Sequence, residues 1–274
     1  MSETLVVGGS GYIGRNMRRV LPELTYLSSA DMNILSRESV AEYLNGKDVG
    51  LCIILAAVIS YGKTADIAQE PFLTNVAGLD ILLTELKKRD VRIIYFSSMT
   101  VYSPENSGAV DEDGLIAPMH GYGLSKLYAE QMLRFHNLPA AVLRIPGVYG
   151  GDRKSGYIYN AIKKIAAGEL FEPDFTDMGY WGTIHIDDLS HMLASFINTY
   201  TYEKRFEIFN FSYGEETDPL ETAAFIKKTL NSQSEIRHTG GYSRFCLKSG
   251  RLDERCQAPM GYYERLERYI RETV

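Results

Sequence analysis

Tyr122 and Lys126 are the residues of this chain whose types and spacing could carry proton chemistry. Positions i and i+4 of a helix share one face, so the lysine ammonium group would stand beside the tyrosine phenol. A phenol has an ordinary pKa of about 10 and is a poor base near neutrality unless a nearby positive charge favours the phenolate. The pair therefore predicts a tyrosine acid/base assisted by a lysine. The same spacing also occurs by chance on solvated helix faces, so other parts of the chain must support this interpretation.

A glycine-rich turn near the start of the chain provides such support. Gly8, Gly11 and Gly14 follow a short apolar segment at 5–7 and lead into an amphipathic stretch that begins at Tyr12. A strand, a tight turn and a helix in this order present backbone N–H groups and a positive helix end to a pyrophosphate. The spacing Gly-x-x-Gly-x-x-Gly differs from the general dinucleotide fingerprint Gly-x-Gly-x-x-Gly. The turn predicts a dinucleotide site at the amino end of the chain.

The elements that must position these residues alternate between strands and helices up to about residue 150. Strands are predicted at 5–7, 24–27, 51–56, 92–97 and 141–145, and helices at 12–21, 37–44, 71–88 and 122–135. Each strand is apolar enough to be covered on both faces, as in a parallel sheet. The order predicts an α/β fold with a Rossmann-like, doubly wound parallel sheet and a ligand at the carboxyl ends of the strands.

The pattern loosens after residue 150. Helices are predicted at 157–167, 187–198, 219–230 and 263–273, and a strand at 206–211. We expect residues 1–150 to form a dinucleotide-binding Rossmann domain to which residues 183–212 return. Residues 151–182 and 213–274 are expected to form a smaller C-terminal substrate-binding lobe.

Composition excludes several functional classes. The 274 residues are 45% hydrophobic and 23% charged with a net charge of -6, which gives no reason to expect nucleic acid as a partner. The most apolar stretch, 51–59, is far shorter than the roughly 20 residues of a membrane span. Cys52, Cys246 and Cys256 lack metal-binding spacing, and Asp187 and Asp188 are expected to cap a helix rather than bind a metal. We expect a cytoplasmic enzyme without a metal and without membrane contact.

Seven segments in order resemble the extended short-chain dehydrogenase/reductases of the NAD-dependent epimerase/dehydratase family. They are the glycine turn at 8–14, Leu55-Ala56-Ala57, Asn75 in Thr-Asn-Val-Ala-Gly, and the segments 96–102, 122–126, 143–150 and 184–189. The resemblance covers nearly the whole chain. It implies an NAD(P)-dependent enzyme that acts on a nucleotide-activated sugar. It also implies a homodimer that pairs the helices at 71–88 and 122–135, whose apolar residues could equally face the sheet; they include Leu79, Leu82, Leu83, Leu127 and Met132.

The resemblance also assigns roles to individual residues. Tyr122 is the implied acid/base, Lys126 its tuning residue, and Ser98 the hydroxyl that hydrogen-bonds the reacting substrate oxygen. Asn33 and Ile34 are implied to contact the adenine, although Asn33 stands where the family commonly has Asp. The full set of implied cofactor-binding residues is Gly8, Gly11, Tyr12, Ile13, Gly14, Asp31, Asn33, Ile34, Leu55, Ala56, Ala57, Asn75, Ser97, Tyr122, Lys126 and Pro146.

The choice between NAD and NADP depends on the end of the second strand. An acidic residue there favours the free ribose hydroxyls of NAD, and a nearby arginine favours the phosphate of NADP. Here the strand runs into Ser28, and Asp31 follows only later. Arg15, after the last glycine, is interpreted as a solvated helix residue. We expect NAD, with NADP as the alternative.

Substrate and reaction type are less well defined by the sequence. By resemblance, epimerases of the family hold the substrate pyrophosphate with an arginine at the position of Trp181, so Arg153 and Arg251 are substitute candidates. Met99 and Thr100 follow Ser98 where dehydratases carry an acidic pair, so dehydration is not expected. The interpretation is a nucleotide-sugar epimerase acting through a transient ketone. The alternatives are a ketoreductase of a nucleotide sugar or another small carbonyl substrate, and a non-enzymatic dinucleotide sensor.

Overall fold

Ten strands are present in the computed structural model, which describes residues 2–59, 71–175, 181–241 and 245–274. They are β1 (Glu3–Val7), β2 (Thr25–Leu27), β3 (Val49–Ile54), β4 (Arg92–Ser98), β5 (Gly108–Val110), β6 (Ala140–Ile145), β7 (Gly147–Tyr149), β8 (Thr183–His185), β9 (Phe206–Asn210) and β10 (Phe245–Leu247). Six of them form one sheet in the order β2-β1-β3-β4-β6-β9, and every pairing in it is parallel. This confirms the predicted α/β class.

Eight α-helices accompany these strands in the described ranges. They are α1 (Tyr12–Met17), α2 (Arg37–Leu44), α3 (Leu79–Leu86), α4 (Gly121–His136), α5 (Tyr157–Ala166), α6 (Ile186–Thr199), α7 (Pro219–Thr229) and α8 (Tyr262–Thr273). The single helix predicted at 71–88 is wrong in one respect, because the chain forms a π-helical segment, Leu73–Gly78, before α3. No helix in the described part of the chain combines the length and apolar character that crossing a bilayer requires.

The central sheet is covered on both faces, as its apolar strands predict. Successive side chains of a strand point to opposite faces. Val7 and Tyr95 accordingly lie in the core under α2, α3 and α4, whereas Val6 and Ile94 lie in the core under α1 and α6. The former core also contains three apolar residues of α3, Leu79, Leu82 and Leu83, all at most 2% exposed. These three residues therefore face the sheet and are not available to a partner subunit.

The strand order changes direction at β1, because β2 is added on one side of β1 and β3 on the other. Open α/β sheets bind ligands in the crevice outside the carboxyl ends of the two strands at such a point, which here are β1 and β3. Gly8 has a φ of 85°, and a Cβ atom on it would stand 2.5 Å from the backbone nitrogen of Ala56. A Cβ atom on Gly14 would stand 2.5 Å from the carbonyl oxygen of Gly9. Side chains at these two positions would therefore block the turn or strain it.

A separate apolar core joins α5, α7 and α8. Its buried residues are Tyr149, Ile158, Ala161, Ile162, Ile165, Phe171, Ala223, Ile226, Tyr262, Leu266, Tyr269 and Ile270. Two short parallel pairs, β7 with β8 and β5 with β10, connect distant parts of the chain. The sequence pattern did not predict these pairs, because strands of three residues have no measurable periodicity.

The start of α6 corrects one expectation from the sequence. The residue that caps this helix is His185, whose Nδ1 accepts from the backbone N–H of Asp187. Asp187 itself pairs with Arg19. Asp188 is fully buried and accepts two hydrogen bonds from Arg265 of α8 and one, at 2.6 Å, from the Tyr213 hydroxyl. A buried ion pair thus fastens the last helix to the body of the protein.

We expect Arg265→Leu to destabilise the fold by about 3–5 kcal/mol, because it leaves the Asp188 carboxylate buried without its cation. Urea unfolding followed by circular dichroism measures the loss. Arg237→Leu is the matched control, since Arg237 forms an exposed pair with Glu235 and should cost less than about 1 kcal/mol. Equal effects of the two substitutions would contradict the structural role of the buried pair.

Candidate active site

Ser98, Tyr122 and Lys126 are brought to one place by the packing of α4 against the carboxyl end of β4. Ser98 is the last residue of β4, and the other two lie in the first two turns of α4. A Cβ atom on Gly123 would stand 2.3 Å from the carbonyl oxygen of Thr100. Glycine at 123 therefore allows the start of α4 to lie directly against the segment that follows Ser98.

The hydroxyl oxygen of Ser98 is held from one side. It accepts hydrogen bonds from the backbone N–H of Thr100 at 3.2 Å and from the Thr100 hydroxyl at 3.0 Å. Ser98 is 7% exposed. A hydroxyl has one proton to donate and two lone pairs to accept with, so both bonds leave its proton available. Ser98 can therefore donate to an oxygen atom of a bound molecule.

Lys126 is buried, and its ammonium group is held in place by the strand beneath it. Nζ donates to the carbonyl oxygen of Phe96 at 2.7 Å and to the hydroxyl of Tyr95 at 3.2 Å. It lies 5.9 Å from the ring centre of Tyr122. Burial lowers the pKa of Lys126 to about 7, although the negative charge of Glu130 opposes the shift. Its charge state is therefore sensitive to conditions close to neutrality.

A buried ion pair supports the helix one turn beyond Lys126. Arg144 of β6 donates two hydrogen bonds to Glu130, at 2.8 and 3.1 Å, and Ser97 donates a third at 2.5 Å. Burial works to lower the pKa of Arg144, but its hydrogen bonds and ion pair with Glu130 outweigh burial and raise that pKa. Ser97, predicted to contact a cofactor, thus has a partner within the protein.

Asn75 connects the loop after β3 to the helix that carries Tyr122. Its amide group exchanges two hydrogen bonds with the backbone of Val58, at 2.8 and 3.0 Å, and donates to the hydroxyl of Ser125 at 2.9 Å. The Ser125 hydroxyl in turn donates to the carbonyl oxygen of Tyr122 at 2.7 Å. Asn75 lies in the π-helical segment, and such segments are frequent at functional sites.

Several predicted cofactor-binding residues of the first half directly follow the carboxyl ends of β1 and β3. Leu55 and Ala56 donate their backbone N–H groups to the carbonyl oxygen of Val7, and Ala57 follows them. A Cβ atom on Gly11 would meet no atom nearer than 3.2 Å, so Gly11 is less crowded than Gly8 or Gly14. The hydroxyl of Tyr12, next to Ile13, donates to the carbonyl oxygen of Gly150 at 2.9 Å.

Residues predicted near the adenosine and the nicotinamide occupy different surroundings. Asp31 accepts from the backbone N–H and the hydroxyl of Ser28, and these bonds lower the pKa of its carboxyl group. Asn33 accepts from the backbone N–H of Leu35. Ile34 is 8% exposed in the core beneath the sheet, and Pro146 is buried between β6 and β7. Their contacts with a cofactor stay predictions.

The predicted substrate residues are only partly brought together. Met99 and Thr100 are buried directly after Ser98. Arg153 donates to the carbonyl oxygen of Val148 and lies over the ring of Tyr12 at 5.7 Å.

The other two predicted substrate residues are engaged elsewhere in the protein. Trp181 is 3% exposed, and its indole N–H donates to the hydroxyl of Thr217. Arg251 is paired with Asp113. These two residues are held by protein partners, and their contacts with a substrate stay predictions.

Sequence reasoning missed three residues of this site. They are Tyr95, Gly123 and Glu130. Tyr95 accepts a hydrogen bond from Lys126, and Glu130 pairs with Arg144. Gly123 allows α4 to pack closely against the segment after Ser98. Glu130 follows Lys126 by four residues, which places both on one helix face. A glycine inside a helical pattern also often has a packing reason.

Comparisons with known proteins add a separate finding. The sequence profile of the NAD dependent epimerase/dehydratase family matches residues 4–211. The N-acetyl-alpha-D-glucosaminyl-diphospho-ditrans,octacis-undecaprenol 4-epimerase of Escherichia coli O157:H7 is 24% identical, over 85% of this chain and 74% of its own.

Two solved structures share the fold over almost their whole length. The UDP-glucuronic acid 4-epimerase of Bacillus cereus in complex with NAD is 20% identical with a TM-score of 0.80, over 99% of each chain. The dTDP-4-dehydrorhamnose reductase of Bacillus anthracis in complex with NADP is 18% identical with a TM-score of 0.82, over 99% of this chain and 100% of its own.

The buried state of Lys126 predicts a pH-dependent stability. In the unfolded chain its amine binds a proton up to a pKa of about 10.4, whereas in the folded protein it releases the proton near pH 7. Between these values the unfolded state binds more protons, so stability rises with pH, by up to about 1.4 kcal/mol per pH unit. The stability gained from pH 7 to pH 9 should be smaller in Lys126→Met than in the unmodified protein.

Urea unfolding at pH 7, 8 and 9 measures the difference. Lys164→Met, at an exposed position of α5, is the control and should leave the pH dependence unchanged. A Lys126→Met profile parallel to that of the unmodified protein would show that Lys126 keeps its ordinary pKa.

Proposed function

Because the chain belongs to the NAD dependent epimerase/dehydratase family, we propose that it is an NAD(P)-dependent enzyme that epimerises a nucleotide-activated sugar. The observation that carries the proposal is the convergence of Ser98, Tyr122 and Lys126 at the carboxyl end of β4. This end of β4 lies on the same sheet edge as the crevice between β1 and β3. Proton chemistry and dinucleotide binding can therefore meet at one place.

The residues of the crevice fit a dinucleotide. Gly8 and Gly14 are packed so tightly that a Cβ atom at either would stand 2.5 Å from backbone, while Gly11 between them is less confined. This arrangement lets the backbone of the turn and the start of α1 approach a pyrophosphate. Asn75 and the loop 55–58 would flank the nicotinamide half. When bound, the nicotinamide ring supplies the hydride acceptor and donor.

The reaction then follows from the protein's own groups. Tyr122 as phenolate removes the proton from a sugar hydroxyl while the carbon of that hydroxyl loses a hydride and becomes a ketone. Ser98 donates a hydrogen bond to the same oxygen throughout, because its lone pairs are used by Thr100. The charge of Lys126 favours the phenolate. When the ketone is reduced on its other face, Tyr122 returns the proton, and the hydroxyl is inverted.

Ketoreduction is the second candidate, and it uses the same three residues. Tyr122 then donates its proton once, and the oxidised cofactor leaves. Epimerisation is preferred because the Escherichia coli relative matched over 85% of this chain is a 4-epimerase. A 23% identical dTDP-4-dehydrorhamnose reductase of Aggregatibacter actinomycetemcomitans, matched over 55% of this chain, supports the alternative. A non-enzymatic sensor is disfavoured because it would have no use for a complete catalytic trio.

Identification of the dinucleotide released from freshly purified, denatured protein separates the two reactions. An epimerase retains its cofactor through both half-reactions, so near-stoichiometric dinucleotide supports epimerisation. A protein that emerges empty favours the reductase.

The proposal also assigns different roles to two parts of the chain. We infer that residues 1–150 with 183–212 bind the dinucleotide, and that 151–182 and 213–274 form the lobe that selects the sugar. The separate apolar core around α5, α7 and α8 supports this division. Arg153, at the start of the second region, is the cation that we expect to meet the substrate diphosphate.

We also propose that the enzyme forms a homodimer through α4. Leu124, Tyr128 and Phe135 are 38%, 51% and 80% exposed, and they share one helix face. Phe72 extends this apolar face and packs edge-on against Tyr128, with ring centres 5.6 Å apart. Large exposed apolar side chains that lie together are typical of protein interfaces.

Tyr122→Phe is expected to lower turnover by at least about 100-fold, because it removes the only proton-transferring group in the proposed reaction. Dinucleotide affinity should change little. Steady-state assays on UDP- and dTDP-linked sugars, with cofactor binding measured by fluorescence, provide the two readouts. Tyr43→Phe on α2 is the control and should be fully active. Full activity of Tyr122→Phe would refute the mechanism.

Phe135→Asp is expected to convert the dimer to a monomer, because it places a charge in the apolar face of α4. Light scattering at micromolar concentration measures the mass. Leu170→Asp, at a position 39% exposed in the substrate lobe, is the control and should remain dimeric. A monomeric unmodified protein would exclude the proposed interface.

A further inference from the structure

We propose that His120 is a positioning residue of the active site, whose neutral imidazole fixes the start of α4 and with it the ring of Tyr122. The inference rests on the proposed function, which assigns the proton transfer to Tyr122. His120 directly precedes α4 and is its N-cap, and its Nδ1 accepts from the backbone N–H of Gly123 at 3.2 Å. The side chain is half-buried at this place.

The cap acts on the residue whose packing decides where α4 lies. A Cβ atom on Gly123 would stand 2.3 Å from the carbonyl oxygen of Thr100, in the segment that follows Ser98. His120 fixes the N–H group of this same residue. Tyr122 directly precedes Gly123, so its backbone follows any shift of the first helical turn.

His120 also packs along the phenol ring itself. The rings of His120 and Tyr122 are stacked, with centres 6.4 Å apart and an interplanar angle of 26°. The carbonyl oxygen of His120 accepts from the backbone N–H of Leu124 at 3.0 Å. One residue thus restrains the first turn of α4 in three ways. A misplacement of about 1 Å in an active site can cost about 100-fold in rate, so this restraint bears on turnover.

The cap requires a neutral imidazole. An N-cap side chain must accept a hydrogen bond, as Ser, Thr, Asp and Asn do. Histidine accepts through Nδ1 when its proton is on Nε2, whereas the imidazolium can only donate. A cation at the amino end of a helix also opposes the helix dipole. The first turn of α4, which is fully described, carries no acidic residue to offset that cation.

The surroundings of His120 favour the neutral form. Burial lowers the pKa of its imidazole, although a hydrogen bond to its own backbone opposes the shift. The titratable side chain that stacks on it is Tyr122. The cap is therefore complete at neutral pH and is lost as the pH falls through the lowered pKa of His120.

A second histidine cap provides an internal reference. His185 caps α6 in the same way, with its Nδ1 accepting from the backbone N–H of Asp187 at 3.2 Å. His185 is only 2% exposed, and burial lowers its pKa to about 4. His120 is less buried, so acidification should release the cap of α4 before that of α6.

Substitution of His120 tests the positioning role. At pH 8, His120→Ala should lower kcat on UDP- or dTDP-linked sugars by about 5- to 30-fold, as expected for a lost helix cap, and change the affinity for NADH and NADPH by less than about 3-fold. His120→Asn retains an acceptor oxygen that does not titrate, so it should restore kcat to within about 3-fold of the unmodified protein. His191→Asn, at an exposed position of α6, is the matched control and should be fully active.

Hydrogen exchange of the Gly123 amide, followed by nuclear magnetic resonance, tests the cap without turnover. The reference is the amide of Ser39, which is capped by the Ser36 hydroxyl at 3.1 Å and cannot lose its acceptor by titration. From pH 7.5 to pH 5, protection of Gly123 relative to Ser39 should fall by about 5-fold or more in the unmodified protein. It should stay constant in His120→Asn. This readout still decides the inference if His120→Ala does not fold.

Three results would overturn the inference while the proposed function stands. One is a folded His120→Ala variant with the kcat of the unmodified protein. Another is a His120→Asn variant as impaired as His120→Ala. The third is a relative protection of the Gly123 amide that does not change with pH in the unmodified protein. If the unmodified protein turns over no nucleotide sugar and binds neither NADH nor NADPH, the proposed function fails, and the positioning role fails with it whatever the exchange shows.

Discussion

The close approach of α4 to the carboxyl end of β4 is the constraint on which the rest of the site depends. It requires a position without a side chain, and Gly123 provides it, because any Cβ atom there would enter the backbone at Thr100. Once the helix lies this near, Tyr122 is held next to the segment that begins at Ser98, and Lys126 is carried into the protein interior. The same approach thus creates the proposed catalytic arrangement and the cost of burying a cation.

That cost is offset locally by groups of the strand and helix. The Phe96 carbonyl and the Tyr95 hydroxyl accept the protons of Lys126, and Glu130 supplies a nearby negative charge. Glu130 is itself paired with Arg144. The carboxylate of Glu130 on α4 therefore lies between two cations, Lys126 on the same helix and Arg144 on β6. A buried lysine with a low pKa is a group whose charge a bound molecule can change.

The fold was largely predictable, because its determinants are repetitive. Five apolar strands separated by amphipathic segments predict a parallel sheet, and this prediction does not depend on individual side-chain contacts. The observed fold is of the predicted α/β class. The errors fall where tertiary contacts overrule local preference. Asn75 sits in a π-helical segment and is bound to Val58 and Ser125. Asp188 could be interpreted as a helix cap until the structure showed Arg265 against it. Neither partner is a neighbour in the sequence.

The sequence by itself determined the family, the sheet, and the residue types of the proposed catalytic trio. Those features depend on short motifs and periodic patterns, which can be recognised from residues that are close together in the sequence. Only the tertiary structure decided which arginines of the segment after the glycine turn form ion pairs, because Asp152 and Asp187 reach Arg15 and Arg19 from more than a hundred residues away. Charge pairing depends on three-dimensional distance. A sequence pattern therefore identifies the candidate cations, but only the fold shows which of them are paired.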